Sequence, residues 1–410
     1  FLSGRGAASR ALFGRQAATA RVLCRKKLKP MVMQENIQLS GAEMSRYARH
    51  IAIPEFGLEG QKRLKAGKVL VVGSGGLGSP VLLYLAAAGV GTIGIVDFDT
   101  VDDSNLQRQI LFNVNDVGAS KAETARERLL ALNPNLNIQV YKTRLTRENA
   151  LELVRDYDVV ADGTDNFPTR YLVNDACVLA GKVNVYASIF QFEGQVSVFN
   201  YEYPDGTRGP NYRDMFPEPP PPGLVPNCAE GGVLGVLPGI IGSMQASEVI
   251  KVLSGVGEPL AGRLFLFDAA AFTTRILKVQ KNPATKIEGL INYEQFCGIV
   301  PAGELRPVRE LSVHQLQALM QSSADFQLID VREPHEYAVS NLGGELIPLG
   351  SVSAAAHRID RHRQVVVHCQ GGVRSAKAIR ELEDQFGFDN LYNLTGGIVA
   401  WEKEFETALR

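Results

Sequence analysis

Cysteine is scarce in this chain, and it never occurs in pairs. Five thiols, Cys24, Cys177, Cys228, Cys297 and Cys369, are scattered over 410 residues, and no CxxC occurs. That spacing excludes a disulfide scaffold and a four-thiolate zinc site, and it favours a reducing compartment such as the cytoplasm. No apolar run is long enough to cross a bilayer. The longest, Gly231 to Gly242, is short and glycine-rich, and it reads as a buried loop leading into a helix. An excess of one charge is also lacking. The formal net charge is −1, so no global field draws the chain to nucleic acid or to a membrane. With 45% hydrophobic and 21% charged residues the composition is that of an ordinary globular protein, and the length predicts two domains.

Residues 1–30 carry eight Arg or Lys, and no acidic residue precedes Glu35. The composition predicts a disordered basic extension over 1–35. It is either an organellar transit peptide or a translated upstream segment with Met31 or Met33 as the working start.

From Ser45 to about Asp165 strand and helix patterns alternate. Strands are predicted at Lys68–Val72, Thr92–Asp97, Ile138–Tyr141 and Asp158–Ala161, and helices at Ser79–Ala88, Lys121–Leu132 and near Glu148–Val154. The alternation predicts an α/β fold, a Rossmann-like doubly wound sheet. Further strands fall at Lys182–Ser188, Gly194–Asn200 and within Gly262–Val279, and a helix at Pro238–Leu253. The proline run from Pro217 to Gly223 forces an extended loop. A second, smaller α/β unit opens near Leu311, with helices at Val313–Met320 and Ser375–Phe386 and strands at Gln327–Val331 and Gln364–Val367. There is no internal repeat. Cys177, in an apolar stretch, reads as core filling.

Gly73-Ser-Gly-Gly-Leu-Gly78 satisfies GxGxxG directly after a strand and before a helix. Gly73, Gly75, Gly76 and Gly78 allow close backbone approach, and the helix N-terminus offers free N–H groups to a phosphate. Asp97 ends the next strand, where a carboxylate accepts from ribose hydroxyls. On those facts alone a nicotinamide or flavin dinucleotide is the obvious rival. The residues after Asp97 decide between them. Asn105, Arg108 and Gln109 crowd behind the ribose acid, and Lys121 opens the next helix. Hydride transfer has no use for those cations. Splitting a triphosphate does, because charge accumulates on the departing pyrophosphate. Asp162-Gly-Thr-Asp-Asn166 supplies carboxylates suited to Mg²⁺.

Arg46-Tyr-Ala-Arg-His50, Gly73–Gly78, Asp97-Phe-Asp99, Ser104-Asn-Leu-Gln-Arg-Gln109, Lys121 and Thr164-Asp-Asn166 resemble the MoeB/ThiF adenylyltransferases, over about residues 40–298. The resemblance implies ATP on the glycine turn, Asp97 on the ribose, and Ser104, Asn105, Leu106 and Gln107 in the nucleotide site. It also implies Arg108 and Lys121 on the phosphates, Asp165 and Asn166 beside the metal, and Arg49 reaching over from the second subunit of a homodimer. The reaction implied is adenylation of the C-terminal glycine of a ubiquitin-like sulfur carrier with a Gly-Gly tail. Many members hold zinc on two CxxC pairs. Here Asn211 and Asp214 stand in the first position, and the second keeps only Cys297, so no structural zinc is predicted. Cys228 matches the family's loop cysteine, which implies a transient disulfide with the carrier.

Val365-Val-Val-His-Cys-Gln-Gly-Gly-Val-Arg-Ser375 delivers Cys369 from a buried strand to a tight loop and a helix. Glycine-loop amides, the helix N-terminus and Arg374 all favour an anion there, so a thiolate or persulfide is stabilised. Four residues separate Cys369 from Arg374, one fewer than a tyrosine phosphatase needs, so the loop suits sulfur better than phosphate. His368 reads as a core histidine. Together with Leu328–Tyr337 and Thr395–Trp401 these residues resemble a rhodanese domain over about 308–410, after a linker at 299–307. Asp330 and Arg332 read as structural, and Trp401 as packing. The resemblance makes Cys369 the persulfide carrier, fed by a donor such as a cysteine desulfurase or thiosulfate. Fusion keeps that donor concentrated near the acyl-adenylate. The whole reads as an activating enzyme with a built-in sulfurtransferase, for molybdopterin or another sulfur pathway (thiamine, cysteine or tRNA thiolation). The rival readings are a dinucleotide oxidoreductase and a non-catalytic rhodanese-linked scaffold.

Overall fold

The structure, a computed structural model, describes residues 37–220, 231–298, 307–322 and 324–406. The basic extension, Cys228 and nearly all of the expected linker lie outside the described residues. The chain divides into two compact units, one ending at Ile299 and the other beginning at Val300.

In the first unit eight strands form one sheet in the order β3-β2-β1-β4-β5-β6-β7-β8. They are β1 (Lys68–Val72), β2 (Thr92–Val96), β3 (Asn137–Tyr141), β4 (Val159–Asp162), β5 (Val183–Phe190), β6 (Glu193–Phe199), β7 (Arg263–Asp268) and β8 (Thr273–Lys278). The five from β3 to β5 run parallel, and β6, β7 and β8 continue as an antiparallel meander. Strand β1 is apolar throughout its buried length because both faces are covered. Val69 and Val71 join one core with α1 (Gly78–Ala88), α2 (Lys121–Leu132) and α4 (Leu237–Ser254). Leu70 and Val72 join the opposite core with α3 (Phe167–Leu179). Cys177 lies in that second core, fully buried, and burial pushes its thiol well up.

The sequence pattern did not reveal α3. Its residues from Arg170 to Cys177 are all buried, so no polar face marks the helical period. Asn166 caps it, accepting from the Thr169 N–H at 3.0 Å.

The segments around Asn211, Asp214 and Cys297 are tied together by hydrogen bonds and stacking. Asn211 and Asp214 form a capping box on the short helix Tyr212–Met215. Arg213 reaches back to Asp175 on α3 through two hydrogen bonds of 2.8 Å, and the Tyr293 hydroxyl donates to the same carboxylate at 2.8 Å. The guanidinium lies over the rings of Tyr171 and Phe296. Cys297 is buried beside them, and burial pushes its thiol up to about 11, so it is a poor thiolate.

The second unit is a parallel five-stranded sheet in the order β11-β10-β12-β13-β9. Its strands are β9 (Glu310–Leu311), β10 (Phe326–Asp330), β11 (Glu345–Leu346), β12 (Gln364–His368) and β13 (Leu391–Leu394). They are covered by α5 (Val313–Gln321), α6 (Pro334–Val339), α7 (Val373–Phe386) and α8 (Gly397–Trp401). The sequence reading missed β9, β11 and β13, which are too short to show a period of two.

Arg213→Met strands the buried Asp175 carboxylate and should destabilise the first unit by about 3 kcal/mol. Arg213→Met with Asp175→Leu should recover part of that loss. Urea denaturation of the three proteins reads both effects.

Candidate functional sites

The first site lies at the C-terminal ends of the parallel strands, where β1 breaks into the glycine turn. A cleft of about 1040 Å³, its open mouth included, is lined by Gly73, Gly75, Gly76, Asp97, Arg108, Lys121, Asp165 and Asn166. Gly78 does not face it. A side chain at Gly78 would fall 2.0 Å from the Gly73 carbonyl oxygen, so this glycine lets α1 close against the turn. Gly73 itself has φ +89°, open to glycine at no steric cost.

Asp97 organises the turn from below. Its Oδ2 accepts from the Ser74 N–H (2.8 Å) and hydroxyl (2.7 Å), and its Oδ1 accepts from the Asp99 N–H (2.9 Å). Oδ2 has both lone pairs taken, whereas Oδ1 retains one for a further donor. Lys121 is buried at the first position of α2, an unfavourable place for a cation because the helix dipole is positive there. Its only ion pair among the described residues is to half-exposed Asp99, at 3.4 Å. An ammonium so placed is poised for a stronger anion. Arg108 donates to the Ser104 carbonyl at 3.1 Å and pairs with no carboxylate among the described residues.

Ser104, Asn105, Leu106 and Gln107 do not line the cleft. Ser104 and Asn105 belong to the 3-10 turn at Asp103–Asn105, and Leu106 and Gln107 continue the segment that carries Arg108 and Gln109 to the rim. Arg49 is exposed and does not line the cleft of its own chain. Of the two acids proposed for a metal, only Asp165 faces the cleft. Asp162 is fully buried, its Oδ1 taken by the Thr164 N–H and hydroxyl, and burial pushes its carboxyl up. Phe98, Arg144 and Arg170 also line the cleft, and the sequence reading missed all three. Arg144 stacks 4.2 Å from the Phe98 ring. Only Phe98, an exposed aromatic beside the ribose acid, left a local signal.

The second site is the turn after β12. Cys369 is buried, and its Sγ accepts from the Gly372 N–H at 3.2 Å; the Ser375 Oγ lies 3.4 Å away but donates its one proton to Asn393 Oδ1 at 2.6 Å. Gly372 (φ +89°) turns that amide inward at the start of α7. The N-terminus of α8 closes the other side, Ile398 and Val399 donating to the carbonyls of Cys369 and Gln370. Arg374 differs from expectation: it forms a bidentate pair with Glu336 of α6, at 2.6 and 2.7 Å. That guanidinium holds the Glu336 carboxyl down at about 2. The sulfur therefore faces the Gly372 amide and the N-terminal end of α7. Asp330 and Arg332 form a buried pair, and Arg332 also reaches Gln370 at 3.4 Å, which steadies the loop. His368 is fully buried, yet neither ring nitrogen has a hydrogen-bond partner among the described residues. Burial pushes it down to about 4 against the opposing pull of Asp330.

A nucleotide cleft at strand ends in one unit and a buried-cysteine turn in the other define a two-domain α/β protein built to activate and to transfer. The ThiF family matches residues 47–288, and the rhodanese-like domain matches residues 312–404. The chain belongs to the ThiF family and carries a rhodanese-like domain after it. It is similar to the probable adenylyltransferase/sulfurtransferase MoeZ of Mycobacterium tuberculosis, 48% identical over 383 residues that span 92% of this chain and 97% of that one. The adenylyltransferase and sulfurtransferase MOCS3 of Drosophila grimshawi is 40% identical, over 92% of this chain and 88% of its own. The sulfur carrier protein adenylyltransferase of Thermus thermophilus is 54% identical, over 63% of this chain and 97% of its own. Among solved structures, E. coli MccB shares the fold of the first unit: TM-score 0.53, 22% identity, 61% of this chain and 75% of that one.

Gly78→Ala should destabilise the first unit by about 2 kcal/mol through backbone overlap and weaken ATP binding, read by denaturation and by calorimetric titration. A second expectation concerns His368. Its folded pKa is below the usual 6.5, so between pH 6.5 and about 4 the unfolded chain binds the extra proton. Stability of the rhodanese unit is therefore full above pH 6.5 and falls by on the order of 3 kcal/mol as pH drops toward 4. Trp401, the only tryptophan, lies in this unit and reports its unfolding. His368→Phe should flatten the fall.

Proposed function

We propose that the protein adenylates the terminal glycine of a ubiquitin-like sulfur carrier with a Gly-Gly tail. The Cys369 persulfide then displaces AMP to give a carrier acyl disulfide. Attack by a second thiol on its S–S bond releases the carrier thiocarboxylate and leaves that thiol in a disulfide with Cys369. The protein is an ATP-dependent adenylyltransferase and a sulfurtransferase. The observation that carries the reading is the pairing, in one chain, of a glycine-lined cleft holding two underused cations, Arg108 and Lys121, with a donor-lined buried thiol. A carboxylate is a poor electrophile, and bonding it to AMP supplies a leaving group. The attacking carboxylate is already ionised, so positioning and charge neutralisation suffice and no general base is needed.

Mg²⁺ fits the donor set. Asp165 is an exposed carboxylate at the strand end, and among the described residues no cluster of three acidic or thiol ligands exists. One carboxylate plus substrate phosphates is how this ion is commonly held, where it neutralises phosphate charge. Asn166 stands beside it, Asp97 takes the ribose, and Gly73, Gly75 and Gly76 admit the phosphates. A homodimer brings Arg49 to the neighbouring cleft, and Cys228 shuttles the carrier through a transient disulfide. The adenylation domain spans 40–298 and the rhodanese domain 308–410. A cysteine desulfurase or thiosulfate supplies sulfur, and molybdopterin synthesis is the favoured destination. No helix among the described residues is long and apolar enough to cross a membrane.

Wild-type protein should catalyse ATP–pyrophosphate exchange that depends on a Gly-Gly carrier. Lys121→Ala should slow the exchange about 100-fold, and Cys369→Ala should leave it intact while abolishing persulfide labelling. Exchange without any carrier dependence, or labelling that survives Cys369→Ala, refutes the corresponding half.

A further inference from the structure

Arg170 is a buried cation that the roles of Arg108, Lys121 and Asp165 leave unexplained. It lies on the first turn of α3, is 7% exposed and lines the nucleotide cleft. Its Nη2 donates to the Thr164 carbonyl at 3.2 Å, and its Nε has no partner among the described residues. Among those residues no carboxylate oxygen lies within ion-pair distance of it. Asp162, fully buried at the neighbouring strand end, gives its Oδ1 to Thr164 and leaves its Oδ2 without a hydrogen-bond partner among the described residues. It and the Tyr186 and Tyr212 hydroxyls act on the guanidinium through their charge and dipoles, with no ion-pair contact among the described residues. The guanidinium rests over the rings of Phe167 and Tyr186, at 5.7 and 5.4 Å. A guanidinium taken out of water without a paired anion is costly, and the cost is offset when an anion arrives.

Its position says which anion. The order β2-β1-β4 puts the glycine turn of β1 in the middle. Lys121 reaches the cleft from the segment after β2, and Arg108 lies beside Gly76, whose added side chain would meet the Arg108 Cγ at 3.8 Å. Arg170 comes from the other flank, after β4, with Thr164, Asp165 and Ile189. Displacement at phosphorus is in line, so the nucleophile enters opposite the leaving group. With pyrophosphate drawn toward Arg108 and Lys121, the incoming carboxylate must approach from the flank that Arg170 occupies.

We propose that Arg170 is the anchor for the carrier's terminal carboxylate, holding one oxygen while the other attacks the α-phosphorus. This assignment rests on the adenylation reading. A bond forms from carboxylate oxygen to phosphorus as the bond from that phosphorus to the bridging oxygen breaks. The bonding pair leaves with pyrophosphate, and no proton moves. Forming the acyl-adenylate removes the carboxylate's charge, so the grip of Arg170 loosens on product. A planar donor fork suits a carboxylate better than a point charge does.

The test compares a carrier ending in a free carboxylate with the same carrier ending in a carboxamide. Wild-type protein should bind the carboxylate form at least tenfold more tightly. Arg170→Gln should bind both forms alike, keep ATP affinity within about twofold and slow pyrophosphate exchange about 100-fold. If Arg170→Gln does not fold, Arg170→Lys is judged by the same ratio, and a drop of threefold or more supports the assignment. A ratio unchanged from wild type in the folded variant overturns it. So does a loss of ATP affinity parallel to the loss of carrier binding, which makes Arg170 a nucleotide or packing residue. Should wild type itself show no exchange with Gly-Gly carriers, the adenylation reading falls and this assignment falls with it.

Discussion

The carboxylate of Asp97 gripping Ser74 is the contact on which the nucleotide site depends. Through that grip the first residue after β2 sets the path of the glycine turn after β1 and opens the N-terminus of α1 toward the cleft. Without it, the amides that admit phosphates would have no fixed direction. The acid is buried at 8% exposure, where its hydrogen bonds are worth more than at the surface. Gly78 is the steric counterpart, since α1 closes against the turn only because no side chain stands there.

The two sites handle negative charge differently. The cleft gathers whole cations, Arg108, Lys121 and Arg170, none of them in ion-pair contact with a buried acid among the described residues. The sulfur turn neutralises its arginine with Glu336 and its second arginine with Asp330, and leaves the sulfur to the Gly372 amide and the helix N-terminus. The chemistry accounts for the difference. Expelling pyrophosphate builds several charges over many ångströms, whereas a persulfide carries one charge on a single atom, which two or three aimed dipoles serve.

Much of the fold was legible because its strands and helices are strongly patterned. Strands β1 to β6 and helix α2 declared themselves within a residue or two, since strands buried on both faces read as apolar runs, while β7 and β8 were read only as strand somewhere within Gly262–Val279. Helix α3 was illegible for the opposite reason: buried from Arg170 to Cys177, it shows no amphipathic period. In the site, motif residues such as Asp97, Arg108 and Lys121 were legible because loop chemistry is local. Phe98 was signalled only by its place beside Asp97, and Arg144 and Arg170 were not legible, because they follow other strand ends and only the sheet order brings them to this cleft.

The sequence by itself determined the elements, the glycine turn, the ribose acid and the loop thiol, because each depends on residues adjacent in the chain. Tertiary structure alone decided which charges are free to act. It buried Asp162 and left Asp165 facing the cleft, and it clamped Arg374 on Glu336 while leaving Arg170 without a carboxylate. Pairing of charges depends on distances between segments remote in sequence, and only the folded chain sets those distances.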